Sequence, residues 1–153
     1  MHSVNIQLAM GDNITGHSDD GVSVQINELQ FRGFNSSSGI SNFLGVPYAT
    51  TRGRFRQAAL IDPHQRNGFV DATKYGPRCP QPVGGSRSLT NYLYTGLETP
   101  TSPPESEDAC LVLNIYTPPE VLASDEKLPI IVFIHGGGWA VGDGNSDYGE
   151  NPL

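Results

Sequence analysis

Residues 130–139 read Ile130-Ile131-Val132-Phe133-Ile134-His135-Gly136-Gly137-Gly138-Trp139. An alternating strand buries one face, whereas a run that is apolar at every position asks for cover on both, as at the centre of an α/β sheet. The run feeds directly into three glycines. With no Cβ, these leave the backbone N–H groups uncovered and open the region of positive φ. Such a loop can aim two N–H donors at one point in space. Acyl transfer needs that arrangement where negative charge gathers on a carbonyl oxygen. The same glycines also fit a turn where two backbones pack closely, and spacing alone does not separate the two. A phosphate cradle fits less well, because no Gly-Lys-Ser/Thr follows.

Upstream, Leu111-Val112-Leu113-Asn114-Ile115-Tyr116 reads as a short strand stopped by Pro118-Pro119. Nearer the start, Val22, Val24 and Ile26 alternate with period two, and Leu29 and Phe31 follow in a second phase. That phase change predicts a hairpin turning near Asn27-Glu28. A turn through Asn35-Ser36-Ser37-Ser38-Gly39 precedes a second extended run from Ile40 to Tyr48. Residues 52–82 are broken by Gly53, Pro63, Gly68, Gly76, Pro77, Pro80 and Pro82, which leaves no room for an amphipathic helix. Residues 83–106 read as a long surface loop, and polar, unpatterned residues 1–20 as a flexible arm. The one domain therefore starts at about residue 21 and runs to 153. No convincing helix is expected anywhere. A central strand needs neighbours on both sides and helices over both faces, so the α/β layer is incomplete within these residues.

The 153 residues are about the length of one domain. A net charge of -7 argues against a nucleic-acid or anionic-membrane surface, which would need clustered positive charge. Most of the negative charge lies late, where Lys127 is the sole basic residue after position 97. Eighteen glycines and 12 prolines predict a loop-rich chain of short strands. No window is long and apolar enough for a membrane span. The first twenty residues show neither the basic nor the apolar region of a signal peptide. Cys79 and Cys110 are wrongly spaced for a zinc site, leaving either a single disulfide, which implies an oxidising compartment, or two free buried thiols. Asn13-Ile14-Thr15 and Asn35-Ser36-Ser37 are acceptor sequons for N-linked glycans.

The glycine loop, with Gly142 just beyond it, resembles the oxyanion loop of the α/β-hydrolases. Other segments narrow the resemblance to the type B carboxylesterases, the family of the cholinesterases and many fungal lipases. They are Phe43-Leu44-Gly45-Val46-Pro47-Tyr48-Ala49, Arg54-Phe55, and Asp71-Ala72-Thr73-Lys74-Tyr75-Gly76-Pro77-Arg78-Cys79-Pro80-Gln81. Ser106-Glu107-Asp108 and Cys110-Leu111-Val112-Leu113-Asn114-Ile115-Tyr116-Thr117-Pro118 continue in the family's order. The resemblance covers about residues 21–149, and only the opening third or less of a family member. It implies an α/β-hydrolase fold cut short: N-terminal antiparallel strands followed by the first strands of the central sheet. It also implies that Gly137 and Gly138 are oxyanion donors, with Gly136 supporting their turn. Cys79 and Cys110 match a disulfide, and Arg54 and Glu107 match a structural ion pair. His135 reads as a structural, hydrogen-bonded histidine, and Trp139 as core packing in the first place or part of the acyl-pocket wall in the second. Ala109 separates Asp108 from Cys110, where the common pattern runs the acid directly into the cysteine.

The family's substrates are small carboxylic esters, cleaved without a cofactor or metal, and its members are usually extracellular. Its nucleophile sits on a Gly-x-Ser-x-Gly elbow, with an acid and a histidine following. Here Gly21-Val22-Ser23-Val24-Gln25 and Gly84-Gly85-Ser86-Arg87-Ser88 both lack the closing glycine, and His2, His17 and His64 precede the oxyanion loop. Nucleophile, acid and base are all missing. The expectation is the N-terminal portion of a serine esterase, inactive alone. The alternatives are a non-catalytic cholinesterase-like binding or adhesion domain and a truncated gene product.

Overall fold

The computed structural model describes residues 21–81, 104–124 and 127–145. Strands β1 (Gly21–Ile26) and β2 (Leu29–Asn35) form the antiparallel hairpin, with Ile26 opposite Leu29. Asn27 takes the turn at φ 53, a left-handed conformation that asparagine tolerates better than most residues. The register sets Val22 opposite Gly33, Val24 opposite Phe31 and Ile26 opposite Leu29 on one face. That face is the core: Leu29, Phe31, Phe43 and Ala72 are buried there, with Val46, Val70 and Leu122 packed against them.

β3 (Ser41–Pro47) pairs antiparallel with β7 (Val112–Thr117), with a bulge between Phe43 and Val46, and pairs with β2 only at Phe34 and Asn35. Gly33 permits that closure, because a Cβ there would strike the Asn42 carbonyl and lie 2.8 Å from the Phe43 ring. The rest of the same β2 edge takes β6 (Gly68–Asp71) in parallel. Ala72, fully buried, then stitches the sheet: its N–H donates to Arg32 O at 2.7 Å and its carbonyl accepts from Leu44 N–H at 2.7 Å. The sheet order is β1-β2-β3-β7 with β6 beside β2, and β4 (Ala49–Thr50) and β5 (Ala59–Leu60) form a separate two-stranded pair.

Two groups on the large sheet titrate away from their ordinary values. Hydrogen bonds from the Thr73 side chain and then its backbone hold the Asp71 carboxyl low, and burial followed by a hydrogen bond with Tyr75 raises the Tyr116 phenol.

The structure adds to some expectations and corrects others. The broken stretch 52–82 carries two short strands, β5 and β6, and a 3-10 turn at Pro63–Gln65 capped by Asp62, whose carboxylate accepts from His64 N–H at 2.9 Å. Strands of two to four residues held by non-local pairing leave no periodic trace. One helical turn, α1 (Pro119–Leu122), starts where Pro118-Pro119 stops β7, since proline suits a helix's first turn. The larger correction is Ile130–Ile134. It lies outside both sheets, and Ile131 is 94% exposed. An apolar run is only buried if other strands and helices come to it, and the described residues bring no strand alongside. The result is an exposed apolar ribbon of the kind that marks a contact surface or an aggregation liability. No helix among the described residues is long and apolar enough to cross a membrane. The arm at 1–20 and nearly all of the loop at 83–106 lie outside the described residues.

Candidate functional site

The three glycines after Ile134 do not contribute equally. Gly137 (φ 137), Gly138 (φ 58) and Trp139 (φ 60) carry the chain through a tight turn closed by N–H groups of Ala140 and Val141 donating to Gly137 O at 3.2 and 3.1 Å. A Cβ on Gly137 would run into the Val141 carbonyl, so no other residue fits. Gly142 is as constrained: at φ 112, a Cβ would meet the Gly136 carbonyl and lie 2.7 Å from His135 Nδ1. Gly136 and Gly138 face open space. Among the described residues, no hydrogen bond uses the N–H of Gly137 or Gly138. The turn, with Gln81 and Cys79 across from it, lines an open cavity of about 610 Å³.

Three side-chain amides tie the far end of the loop to the rest of the fold, one of them to the sheet. Gln81 Nε2 donates to Gly142 O at 2.6 Å while its Oε1 accepts from Gly142 N–H at 3.2 Å, so one side chain pairs with Gly142 as a neighbouring strand would. Asn114, on β7, donates through Nδ2 to Gly144 O at 2.8 Å and accepts at Oδ1 from Gly45 N–H at 2.8 Å. Asn145 Nδ2 donates to Gly76 O at 2.9 Å. Bonds of this kind are worth roughly 0.5–1.5 kcal/mol each, and together they restrict the loop where it would otherwise be free. His135 Nδ1 lies 2.7 Å from Gly136 O. A carbonyl can only accept, so Nδ1 carries the proton and the ring braces its own loop. Trp139 does not pack: its side chain is fully exposed, because the left-handed backbone turns it away from the chain.

Cys79 and Cys110 form a disulfide with Cα atoms 4.8 Å apart, so Ala109 does not prevent the bridge. The pair links the segment carrying Gln81 to the start of β7. Alongside it, the segments run together through Arg78 N–H to Pro104 O at 3.1 Å and Ser106 N–H to Arg78 O at 2.9 Å. Arg78 Nη2 meets Glu105 Oε1 at 2.7 Å, with only 16% of the Arg78 side chain exposed. This ion pair was missed at the sequence level, where the resemblance pointed to Arg54 and Glu107. Arg54 Nη1 and Glu107 Oε1 are 3.6 Å apart with side chains 71% and 51% exposed, and neither residue lines the cavity. An exposed pair at this distance is worth about 0–1 kcal/mol. Accordingly, Arg54→Ala should leave the denaturant midpoint nearly unchanged, while Arg78→Ala, which strands a half-buried carboxylate, should lower it clearly. Equal shifts in urea titrations would contradict this ranking. Glycine spacing and the resemblance together mark the loop. Gln81 closes one of the segments that carry the resemblance, but nothing in the sequence assigned its side chain a role. Among the described residues, no cluster of histidine, cysteine and carboxylate side chains could hold a metal ion.

The model of the carboxylesterase family matches residues 20–153. Carboxylesterase 1E of Rattus norvegicus is 42% identical over 111 residues, covering 71% of this chain and 19% of that protein. Juvenile hormone esterase of Heliothis virescens is 34% identical over 144 residues, covering 88% of this chain and 22% of that one. Among solved structures, a thermophilic PNB esterase superposes with a TM-score of 0.57 at 32% identity, covering 80% of this chain and 23% of that structure. The chain thus spans about a fifth of the length of these relatives.

Proposed function

Since this chain belongs to the carboxylesterase family and carries the N-terminal portion of its α/β-hydrolase fold, we propose that residues 21–153 supply the oxyanion hole of a serine carboxylic ester hydrolase. In the complete enzyme a serine from another stretch of polypeptide attacks the carbonyl carbon of a small carboxylic ester. The carbonyl oxygen then takes up negative charge, and the Gly137 and Gly138 N–H groups hold it. Each such donor typically contributes about 2.7–4 kcal/mol to the transition state. The observation that carries this reading is the pair of unpartnered amides in a turn that lines a cavity. The amide clips at Gln81, Asn114 and Asn145 support it, because a donor set stabilises a transition state best when it is fixed before the charge appears. A binding domain of the same fold would place no such demand on these amides. The chemistry calls for no cofactor. The Cys79–Cys110 bridge supports an oxidising, extracellular setting.

The chain alone should not turn over. It holds no serine on a Gly-x-Ser-x-Gly elbow, and its histidines other than His135 all precede the loop. Purified chain mixed with a chromogenic short-chain ester is expected to hydrolyse it no faster than buffer. Hydrolysis titrated to zero by one equivalent of an organophosphate would show a competent nucleophile and defeat this part of the reading.

A further inference from the structure

The turn between β2 and β3 carries a sequon that ester chemistry does not use, and we propose that Asn35 is a site of N-linked glycosylation. Asn35-Ser36-Ser37 has an acceptor asparagine, a middle residue other than proline, and a hydroxyl two positions on. The geometry divides the labour among these side chains. Ser36 builds the turn: its N–H donates to Ile40 O at 2.8 Å, its carbonyl accepts from Gly39 N–H at 2.9 Å, and its Oγ accepts from Ile40 N–H at 3.2 Å. Ser37 is exposed, and its hydroxyl makes no hydrogen bond among the described residues, so it is free to polarise the acceptor amide. Asn35 is exposed at the end of β2, where the chain reverses and no element among the described residues covers it.

The two ends of the Asn35 carboxamide are used differently. Oδ1 accepts from Ser41 Oγ at 2.7 Å, and Ser41 is completely buried. Nδ2 makes no hydrogen bond among the described residues. Glycosylation acts on Nδ2 alone and leaves the carbonyl in place, so the modified asparagine can still satisfy the buried hydroxyl. In the transfer, Nδ2 attacks the anomeric carbon of a glycan carried on a polyprenyl diphosphate. The N–C bond forms and the C–O bond to the diphosphate breaks. The polyprenyl diphosphate leaves with the electron pair, and one amide proton passes to a base on the transferase. The setting such a donor requires is the same oxidising secretory route in which the Cys79–Cys110 bridge forms.

The 153-residue chain would be made behind a cleavable secretion leader in a eukaryotic host, and every leader-processed molecule collected, retained or secreted. Peptide-N-glycosidase in heavy-oxygen water converts a glycosylated asparagine to a labelled aspartate that mass spectrometry locates. Label at position 35 is expected, lost in Ser37→Ala and kept in Ser37→Thr. These variants leave the Asn35–Ser41 bond intact, whereas Asn35→Gln would displace the acceptor of a buried hydroxyl and could fail by misfolding. Leader-processed chain with position 35 unlabelled would overturn the proposal. So would label that persists in Ser37→Ala.

Discussion

Gly137→Ala is expected to unmake the glycine turn, and to do so far more severely than alanine at either neighbouring glycine. The added methyl would occupy the place of the Val141 carbonyl, and that contact is backbone on both sides, so no side chain can swing aside to relieve it. Gly137 also sits at φ 137, where residues with a Cβ are strained in any surroundings. The bonds from Ala140 and Val141 to Gly137 O must then break or lengthen, and the unpaired amides lose their common direction. Gly136→Ala, which meets nothing within van der Waals reach, should be mild. Gly138→Ala should fall between, with open space but a φ of 58 that costs about 1–2 kcal/mol. In the 153-residue chain the test is amide hydrogen exchange and chemical shift across residues 138–142. In a longer polypeptide that carries the serine elbow, kcat should drop about 10²–10³-fold or more, as when an oxyanion donor is removed. A Gly137→Ala chain with an unaltered loop spectrum would refute the steric account.

The glycine turn was the most legible part of the site because its signal is local: a glycine is required where φ is positive or where a Cβ would collide. Even so, the resemblance divided the triad into donors Gly137 and Gly138 and a supporting Gly136, whereas the steric division falls elsewhere: Gly137 is indispensable, and Gly136 and Gly138 have room to spare. The β1–β2 hairpin was legible for a similar reason. Its register follows from two period-two phases meeting at Asn27-Glu28, a relation contained within fourteen residues. What was illegible is long-range. The parallel pairing of β6 with β2 joins residues about forty apart through backbone atoms that every sequence possesses. Gln81 replaces a strand neighbour for Gly142 through a side chain with no periodic signature.

Ile130–Ile134 failed in the opposite way. Its apolar continuity reports the surroundings in which such a segment is stable, and it does not guarantee that the same chain supplies them. The 69% exposure of Phe133 and the full exposure of Trp139 show the same lack of cover just before and after the glycines. The ion pairs teach a related lesson. Resemblance pointed to Arg54 and Glu107, which pair at 3.6 Å but in solvent, while Arg78 and Glu105 meet at 2.7 Å where the disulfide brings their two segments side by side.

Removing that disulfide is the second change with a large expected effect. The bridge closes 31 residues of sequence separation, and the chain-entropy model assigns such a loop about 3–4 kcal/mol, although how the stabilisation divides between entropy and enthalpy is disputed. Small domains have only about 5–15 kcal/mol in total. This fold should sit at the low end, since among the described residues the buried apolar side chains are few: Leu29, Phe31, Phe43, Leu44, Ala49 and Ala72. Reduction, or Cys79→Ser with Cys110→Ser, should therefore remove most of the stability and flatten the cooperative urea transition at 37 °C. The loss should also travel to the site. Cys79 lies two residues before Gln81, and with the bridge gone the Gln81 amide is no longer held opposite Gly142. Exchange of the Gly142 N–H should consequently accelerate at urea concentrations too low to unfold β1–β3. If the reduced chain kept both its urea midpoint and slow exchange at Gly142, the bridge would be incidental to the fold, and the loop would have to owe its geometry to Asn114 and Asn145 alone.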